Sequence, residues 1–312
     1  MAFQNSEELM VIAASMYYDD ELTHEQIAKK LHMSRVGVTR LLQRARREGI
    51  VQVRITKPLP IQYELEQRLQ KTFGLKDAIV VKARGSLDAT LDAIGQAGAE
   101  HLRQSVCSNC RVGVGWSTTV SRMLPYLEKP EKLTGAVVNE LAGSLMGLGN
   151  PYSISGAIAQ MLDAPIEPLP VPVIVQNAQA REAILQEATI ATSLNHARQC
   201  NLAFVGLGDV SDESILVRTG FMSAEQLSAL RQSGAVGDIL MRFYDAEGRH
   251  VASPVESRVI SLSVEEIRRI PYVVAMASGS TKLEAVLGAM RGGFCHCLIT
   301  DTALAKLVLE HA

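Results

Sequence analysis

The sequence predicts an α/β protein in two parts, a small helical unit followed by a doubly wound parallel sheet. Three observations carry this prediction. Two short amphipathic helices joined by three residues occupy the N-terminal stretch, and from residue 77 onward β-branched runs alternate with helical segments. Between them "TKPLP", Thr56 to Pro60, sets two prolines within three residues and interrupts regular structure. The expected division is residues 1–57 and residues 58–312.

In the first unit, "LTHEQIAKKL" opens with Thr23 followed three residues later by Gln26, the pattern of a capping box, with Ile27, Ala28 and Leu31 as its inward positions. "HMS" then leads into "RVGVTRLLQRARREG", with Ser34 as the next N-cap. On a helical wheel Val38, Leu41, Leu42 and Ala45 share about one third of the circumference. Small Ala28, the three-residue connection and buried Val38 and Leu41 have the spacing of a helix-turn-helix. That turn usually carries a glycine where this chain has His32, a residue that tolerates a left-handed backbone better than most. After Gly49, "IVQVRITKP" alternates as a strand does and carries Arg54 and Lys57 on an expected β-wing.

Charge separates this unit from an ordinary solvated surface helix. The whole chain has a formal net charge of −2, yet residues 29–57 alone carry +8. Such a local concentration of cations suits a polyanion. In a helix-turn-helix the early residues of the second helix reach base edges. Arg35, Thr39, Arg40 and Gln43 are therefore candidate base readers, and Val36, apolar on the open face, suits a thymine methyl. Arg44, Arg46 and Arg47 come later, where phosphate contact is expected. A basic surface helix in a small helical subdomain is the alternative.

The remaining residues are expected to form "DAIVV" (77–81), a helix through about Arg103, "RVGVG" (111–115), a helix over 118–127, "AVVNEL" (136–141) and a helix near 152–162. "VPVIV", a long helix over 178–198, "LAFVGL" (202–207), "DILMRFYD" (238–245), "YVVAMA" (272–277) and "HCLIT" (296–300) follow. Before them "IQYELEQRLQKTF" spaces Ile61, Leu65, Leu69 and Phe73 helically, for packing within its own unit or for pairing two subunits.

Parallel sheets bind ligands outside the carboxyl ends of their strands, and several of these ends are rich in small residues. "VGVGWSTT" places Gly115, Trp116, Ser117, Thr118 and Thr119 at the start of a helix, where N–H groups and hydroxyls can converge on an anion or merely cap the helix. "ASGSTKLEAV" repeats the arrangement with Gly279, Ser280 and Lys282, a cation in a first helical turn where the helix dipole disfavours one. "FVGLGDV" adds Gly206 and Gly208, and "AVGDIL" adds Asp238, a carboxylate suited to sugar hydroxyls. Together they suggest a pocket for a small phosphorylated sugar or polyol.

Composition excludes other classes. Hydrophobic residues make up 47%, aromatic residues only 4%, and no apolar run approaches the roughly 18 residues of a membrane span. The start, "MAFQNSEELMV", is acidic where a signal sequence is basic, so a cytoplasmic protein without membrane contact is expected. Cys107, Cys110, Cys200, Cys295 and Cys297 form no disulfide framework, and "CSNC" and "CHC" lack the matching second pair of a zinc site. No cofactor is expected.

"LTHEQIAKKLHMSRVGVTRLLQRARREGIVQVRI", "GVGWSTT", "GAVGDILMRFYDAEG" and "ASGSTKLEAVLGAMRGG" together resemble the SorC family of bacterial transcription regulators, which includes deoxyribonucleoside and autoinducer-2 regulators. The resemblance implies a winged helix-turn-helix joined to a sugar-phosphate-binding domain like ribose-5-phosphate isomerase and glucosamine-6-phosphate deaminase, usually assembled as tetramers. It further implies effector-phosphate contacts from Gly115 to Thr119 and Lys282, with Asp238 on the hydroxyls. The loop "ELAGSLMGLGNPYS" stands where family members line the same pocket. Expected partners are double-stranded operator DNA, a phosphorylated sugar or polyol, and further copies of the chain. Two other readings compete: a sugar-phosphate isomerase or deaminase, which lacks a recognisable acid/base pair around Asp238, and a thiol or metal sensor through the cysteines.

Overall fold

The protein is described here by a computed structural model covering residues 6–51, 60–130, 133–144 and 154–312. Its chain divides into two compact units, Met1–Leu59 and Pro60–Ala312.

The first unit contains α1 (Ser6–Tyr18), α2 (His24–Lys30) and α3 (Arg35–Arg47). Thr23 and Gln26 form the expected capping box, and Ser34 Oγ accepts the Gly37 N–H at 3.0 Å. Each cap satisfies an N–H that the helix itself leaves unpaired, worth about 1 kcal/mol. Ala13, Ala14, Ile27, Ala28, Val38 and Leu42 make the core, with Leu41 only half-buried at its edge. His32 has φ 50, so the turn demands a left-handed residue at the position where the sequence lacks glycine. His32→Val, which cannot reach that conformation without strain, should lower stability by about 1–2 kcal/mol in thermal unfolding. An unchanged midpoint would mean that the turn relaxes. Most of the expected wing, residues 52–58 with Arg54 and Lys57, lies outside the described residues.

The second unit begins with α4 (Ile61–Phe73), β1 (Asp77–Val81), α5 (Leu87–Ser105), β2 (Arg111–Val114), α6 (Thr118–Ser121), β3 (Val137–Glu140) and α7 (Ile154–Leu162). Next come β4 (Ile166–Glu167), α8 (Ala178–Gln186), α9 (Ala188–Ala197), β5 (Leu202–Gly206), β6 (Gly208–Asp209), α10 (Ile215–Arg218), α11 (Ala224–Gln232), β7 (Gly237–Ile239), β8 (Arg242–Tyr244) and β9 (His250–Val251). The chain finishes through α12 (Val264–Arg268), β10 (Val273–Met276), α13 (Leu283–Arg291), β11 (Cys297–Asp301) and α14 (Thr302–Glu310).

Among the described residues, seven strands form one parallel sheet in the order β1-β11-β10-β5-β2-β3-β4. Parallel strands need both faces covered, and their side chains alternate between faces. Ala203, Val205 and Ala275 enter one core with Leu69 of α4, Ile190 of α9 and Val308 of α14. Leu202, Phe204 and Val274 enter a second core with Leu102 of α5 and Ile158 of α7. Leu65 and Leu69 of α4 are thus spent inside their own unit, while Ile61 and Tyr63 stay exposed.

Four elements differ from the sequence reading. "DILMRFYD" is not one strand but the hairpin β7–β8, in a separate antiparallel sheet ordered β6-β7-β8-β9. Its two-residue turn holds Leu240 at φ 53 and Met241 at φ 65, a conformation that normally selects Asn-Gly. The long helix over 178–198 breaks at Glu187, whose ψ of 125 is extended. The helix over 118–127 stops at Ser121 and resumes as a short turn over Leu124–Tyr126. "VPVIV" joins no strand of the main sheet and makes isolated bridges, Ser144 to Pro172 and Ile174 to Val259.

Candidate functional site

From β2 the chain winds through β3 to β4 on one side, then returns to β5 on the other side of β2 and continues to β10 and β11. The winding direction reverses between β2 and β5, which opens a crevice at their carboxyl ends. A cavity of about 380 Å³ lies there. Val114, Glu140 and Gly206, the last residues of β2, β3 and β5, line it.

The structure brings most of the expected effector residues to this cavity: Trp116, Ser117, Thr118, Thr119, Asp238 and Lys282 all line it. Gly115 and Gly279 are not among its lining residues. Gly115 is needed because a Cβ there would come within 2.7 Å of Leu240 Cδ2, and Leu240 is itself a wall of the cavity. Gly279, with φ 93, turns the chain from β10 toward Lys282.

Ser117 caps α6, its Oγ accepting the N–H groups of Thr119 at 3.1 Å and Val120 at 3.4 Å. These two donors are therefore already satisfied. Trp116, the single tryptophan of the chain, has its indole N–H buried with no acceptor among the described residues.

Asp238 is only 4% exposed and follows Gly237 on β7, opposite Gly208 on β6. Gly208 permits this, because a Cβ on it would lie 1.8 Å from Asp238 Oδ1. The Met241 N–H donates to Asp238 Oδ2 at 3.0 Å, tying the carboxylate to its own strained turn. Burial pushes the Asp238 carboxyl up to about 6, against the lowering influence of the Met241 N–H and Lys282.

The sequence reading missed two acids. Lys282 is not an unpaired cation, since its Nζ stands 2.7 Å from Asp209 Oδ2. Burial tends to raise the Asp209 carboxyl, but Lys282 and the donors of Ser211 outweigh it and hold it below the ordinary range. Glu140 accepts from Ser155 Oγ at 2.7 Å and from the Leu169 N–H at 2.8 Å. Asp209 follows Gly208 as Asp238 follows Gly237, the same local pattern, whereas Glu140 closes the β-branched run "VVNE". Residues 145–153 of the "ELAGSLMGLGNPYS" loop lie outside the described residues.

In the first unit Arg35, Arg40, Gln43, Arg44, Arg46 and Arg47 are exposed, and Val36 is 60% exposed. Thr39 differs, being half-buried with its hydroxyl between the Arg35 carbonyl and His24 Nδ1, each at 3.1 Å. Arg44 Nε donates to Glu48 at 2.6 Å, and Arg46 Nε donates to the Tyr18 hydroxyl at 2.8 Å with its guanidinium over that ring. Among the described residues Arg35, Arg40 and Arg47 have no such partner.

Burial pushes the Cys110 thiol up to about 11 and those of Cys200 and Cys295 up to about 12. Among the described residues no three His, Cys, Asp or Glu side chains converge as metal ligands. Nor is any helix there long and apolar enough to cross a membrane.

A capped helix pair with an arginine-rich open face, in one chain with an α/β unit that holds a switch-point cavity, defines a transcriptional regulator with a sugar-binding domain. Residues 58–310 match the Sugar-bind family, described as "Putative sugar-binding domain", and the chain belongs to that family. It is 29% identical over 311 residues to the deoxyribonucleoside regulator of Bacillus subtilis (strain 168), covering 98% of this chain and 99% of that protein. It is 29% identical over 315 residues to the sorbitol operon regulator of Klebsiella pneumoniae, covering 98% and 100%. The crystal structure of full-length SorC from Klebsiella pneumoniae superposes with a TM-score of 0.75 at 27% identity, covering 98% of this chain and 99% of that one. The resemblance to SorC regulators read from the sequence is borne out.

Proposed function

We propose that this chain binds operator DNA through α3 and is controlled by a phosphorylated sugar or polyol held in the switch-point cavity. The observation that carries the effector reading is the meeting of Lys282, Thr118, Thr119 and Asp238 in one cavity at the carboxyl ends of a parallel sheet. The lysine and hydroxyls suit a phosphate, and the buried carboxylate suits the hydroxyls of the carbon chain. Trp116 and Ser117 complete this wall, while Gly115 and Gly279 act through the backbone, admitting Leu240 and turning the chain. In fold we relate the second unit to ribose-5-phosphate isomerase and glucosamine-6-phosphate deaminase, on the strength of its sheet and the place of its cavity.

We take the site to bind rather than to turn over its ligand. Glu140 is committed to Ser155 and Leu169, so Asp238 has no second free acid or base beside it. The protein works in the cytoplasm, where its operator is, without a cofactor. It acts as a dimer or tetramer, since a helix-turn-helix reads each half of a palindromic site with one copy. The effector acts by favouring one arrangement of the DNA-binding units over another.

On DNA, Arg35, Val36, Arg40 and Gln43 are assigned to bases, and Arg44 and Arg47 to phosphates. Thr39 supports the helix start through His24 as much as it faces the groove. Arg40→Ala should cost about 1–3 kcal/mol and relax sequence preference, whereas Arg47→Ala should weaken all sequences alike and flatten the salt dependence by about one unit. Fluorescence anisotropy with DNA from upstream of its own gene, across a salt series, measures both. Binding that is absent, or insensitive to salt, would sink the reading.

A further inference from the structure

The charge in the cavity is oddly arranged for an anion site. The charged side chains lining it among the described residues are Glu140, Asp238 and Lys282, and Lys282 already faces Asp209 at 2.7 Å. Residues 145–153 of the adjoining loop contain no charged residue. An arriving phosphate would therefore meet one neutralised ammonium and two acids. Simple addition of a dianion to such a site is opposed by Coulomb repulsion in a partly dry cavity.

Asp209 is also held in place independently of Lys282. Its Oδ1 accepts from the Ser211 N–H at 3.1 Å and from the Ser211 hydroxyl, so one oxygen stays anchored while the other faces the lysine. Asp209 sits on β6, Lys282 precedes α13, and a lysine stem turns about several bonds where the β6 carboxylate does not. Lys282 is thus the mobile partner and Asp209 the fixed one.

We propose that Asp209 is a resident counter-anion for Lys282, and that an anionic ligand binds by exchange, taking the ammonium away from this carboxylate. The proposal rests on the reading of Lys282 as the phosphate anchor and adds how that anchor is guarded. When the ligand leaves, Asp209 recovers the lysine. While the ligand is bound, the Ser211 donors alone hold the carboxylate. The exchange sets a threshold, because an anion must attract the ammonium more strongly than a carboxylate 2.7 Å away does. A phosphomonoester dianion passes that threshold more readily than a monoanion, so Asp209 selects for charge before any sugar hydroxyl is read.

The test is titration of the full-length chain with inorganic phosphate, followed by the fluorescence of Trp116 and by thermal unfolding. Asp209→Asn keeps the shape and an acceptor but removes the charge, and should bind phosphate at least about tenfold more tightly than the parent. Ser211→Ala removes a donor on which the carboxylate depends once the lysine has left, so it should weaken phosphate binding, a change of opposite sign that also guards against a misfolded Asp209→Asn. Lys282→Met should not bind. If the parent binds and Lys282→Met does not, but Asp209→Asn binds no more tightly than the parent, or Ser211→Ala binds as tightly as the parent or more so, the counter-anion role is wrong and the phosphate anchor stands. If Lys282→Met binds as well as the parent, the anchor itself is wrong and the proposal falls with it. Absence of binding in every variant, Asp209→Asn included, overturns both.

Discussion

Asp238→Asn should stabilise the second unit by about 3 kcal/mol at about pH 8, and this gain should vanish near pH 3.5. The reason is that the protein buries an acid against its preference. Burial, opposed by the Met241 N–H and Lys282 and assisted by Asp209, lifts the carboxyl from its ordinary 3.8 to about 6. A carboxyl whose folded-state value is raised favours the native state at low pH and withdraws that favour as pH climbs from about 4 through about 6. The parent should therefore weaken across that window, whereas asparagine, which cannot ionise and still accepts the Met241 N–H, should not. Urea denaturation of both proteins at a series of pH values measures the difference. Parallel stability curves would show that Asp238 is not the group that titrates. A stabilising substitution in a cavity wall should also cost ligand affinity, the usual exchange at a site kept for function.

Lys282→Met should have the opposite effect, a loss of about 3 kcal/mol near neutral pH, because it strands Asp209 with 10% of its side chain exposed and only Ser211 to bond. Here the sign reverses. Asp209 is held below its ordinary 3.8, so its pairing stabilises the protein above about pH 4 and is lost as pH falls further. In Lys282→Met burial acts unopposed by the lysine, and the deficit should shrink on acidification as Asp209 takes up a proton. The double variant Asp209→Asn/Lys282→Met should recover most of the loss, since it removes both charges. If the double variant is no more stable than Lys282→Met, the loss comes from the lysine stem and not from the stranded carboxylate. In a thermal screen with phosphorylated sugars, a ligand at 100 times its Kd should stabilise the parent by roughly 2.7 kcal/mol, and neither lysine-lacking variant.

Much of this was legible in the sequence where local chemistry decides local structure. Thr23 with Gln26 and Ser34 announce two helix starts because a side-chain oxygen must meet an otherwise unpaired N–H, and both bonds are present. "DAIVV" is a strand over the expected residues, 77–81, because β-branched side chains suit a pleat covered on both faces. The hairpin β7–β8 was not legible, since Leu240 and Met241 carry no turn signal. Burial at 4% and 1% exposure, with the Asp238 carboxylate bonded to Met241, imposes the left-handed backbone from outside. The break at Glu187 has no glycine or proline to mark it either. At the site, residue types at strand ends pointed to Trp116–Thr119, Asp238 and Lys282, but not to the pairing of Lys282 with Asp209. That pair depends on which strands the fold sets side by side, and no local pattern encodes it.

The position of the cavity at the reversal of winding has a consequence for a chain still being made. Its floor needs β2, β3 and β5, and its lysine arrives only after β10, close to the end of the sheet's construction. No early fragment contains the cavity with Lys282 in its wall. On the proposed reading, a ligand bound there certifies that nearly the whole second unit has emerged and closed.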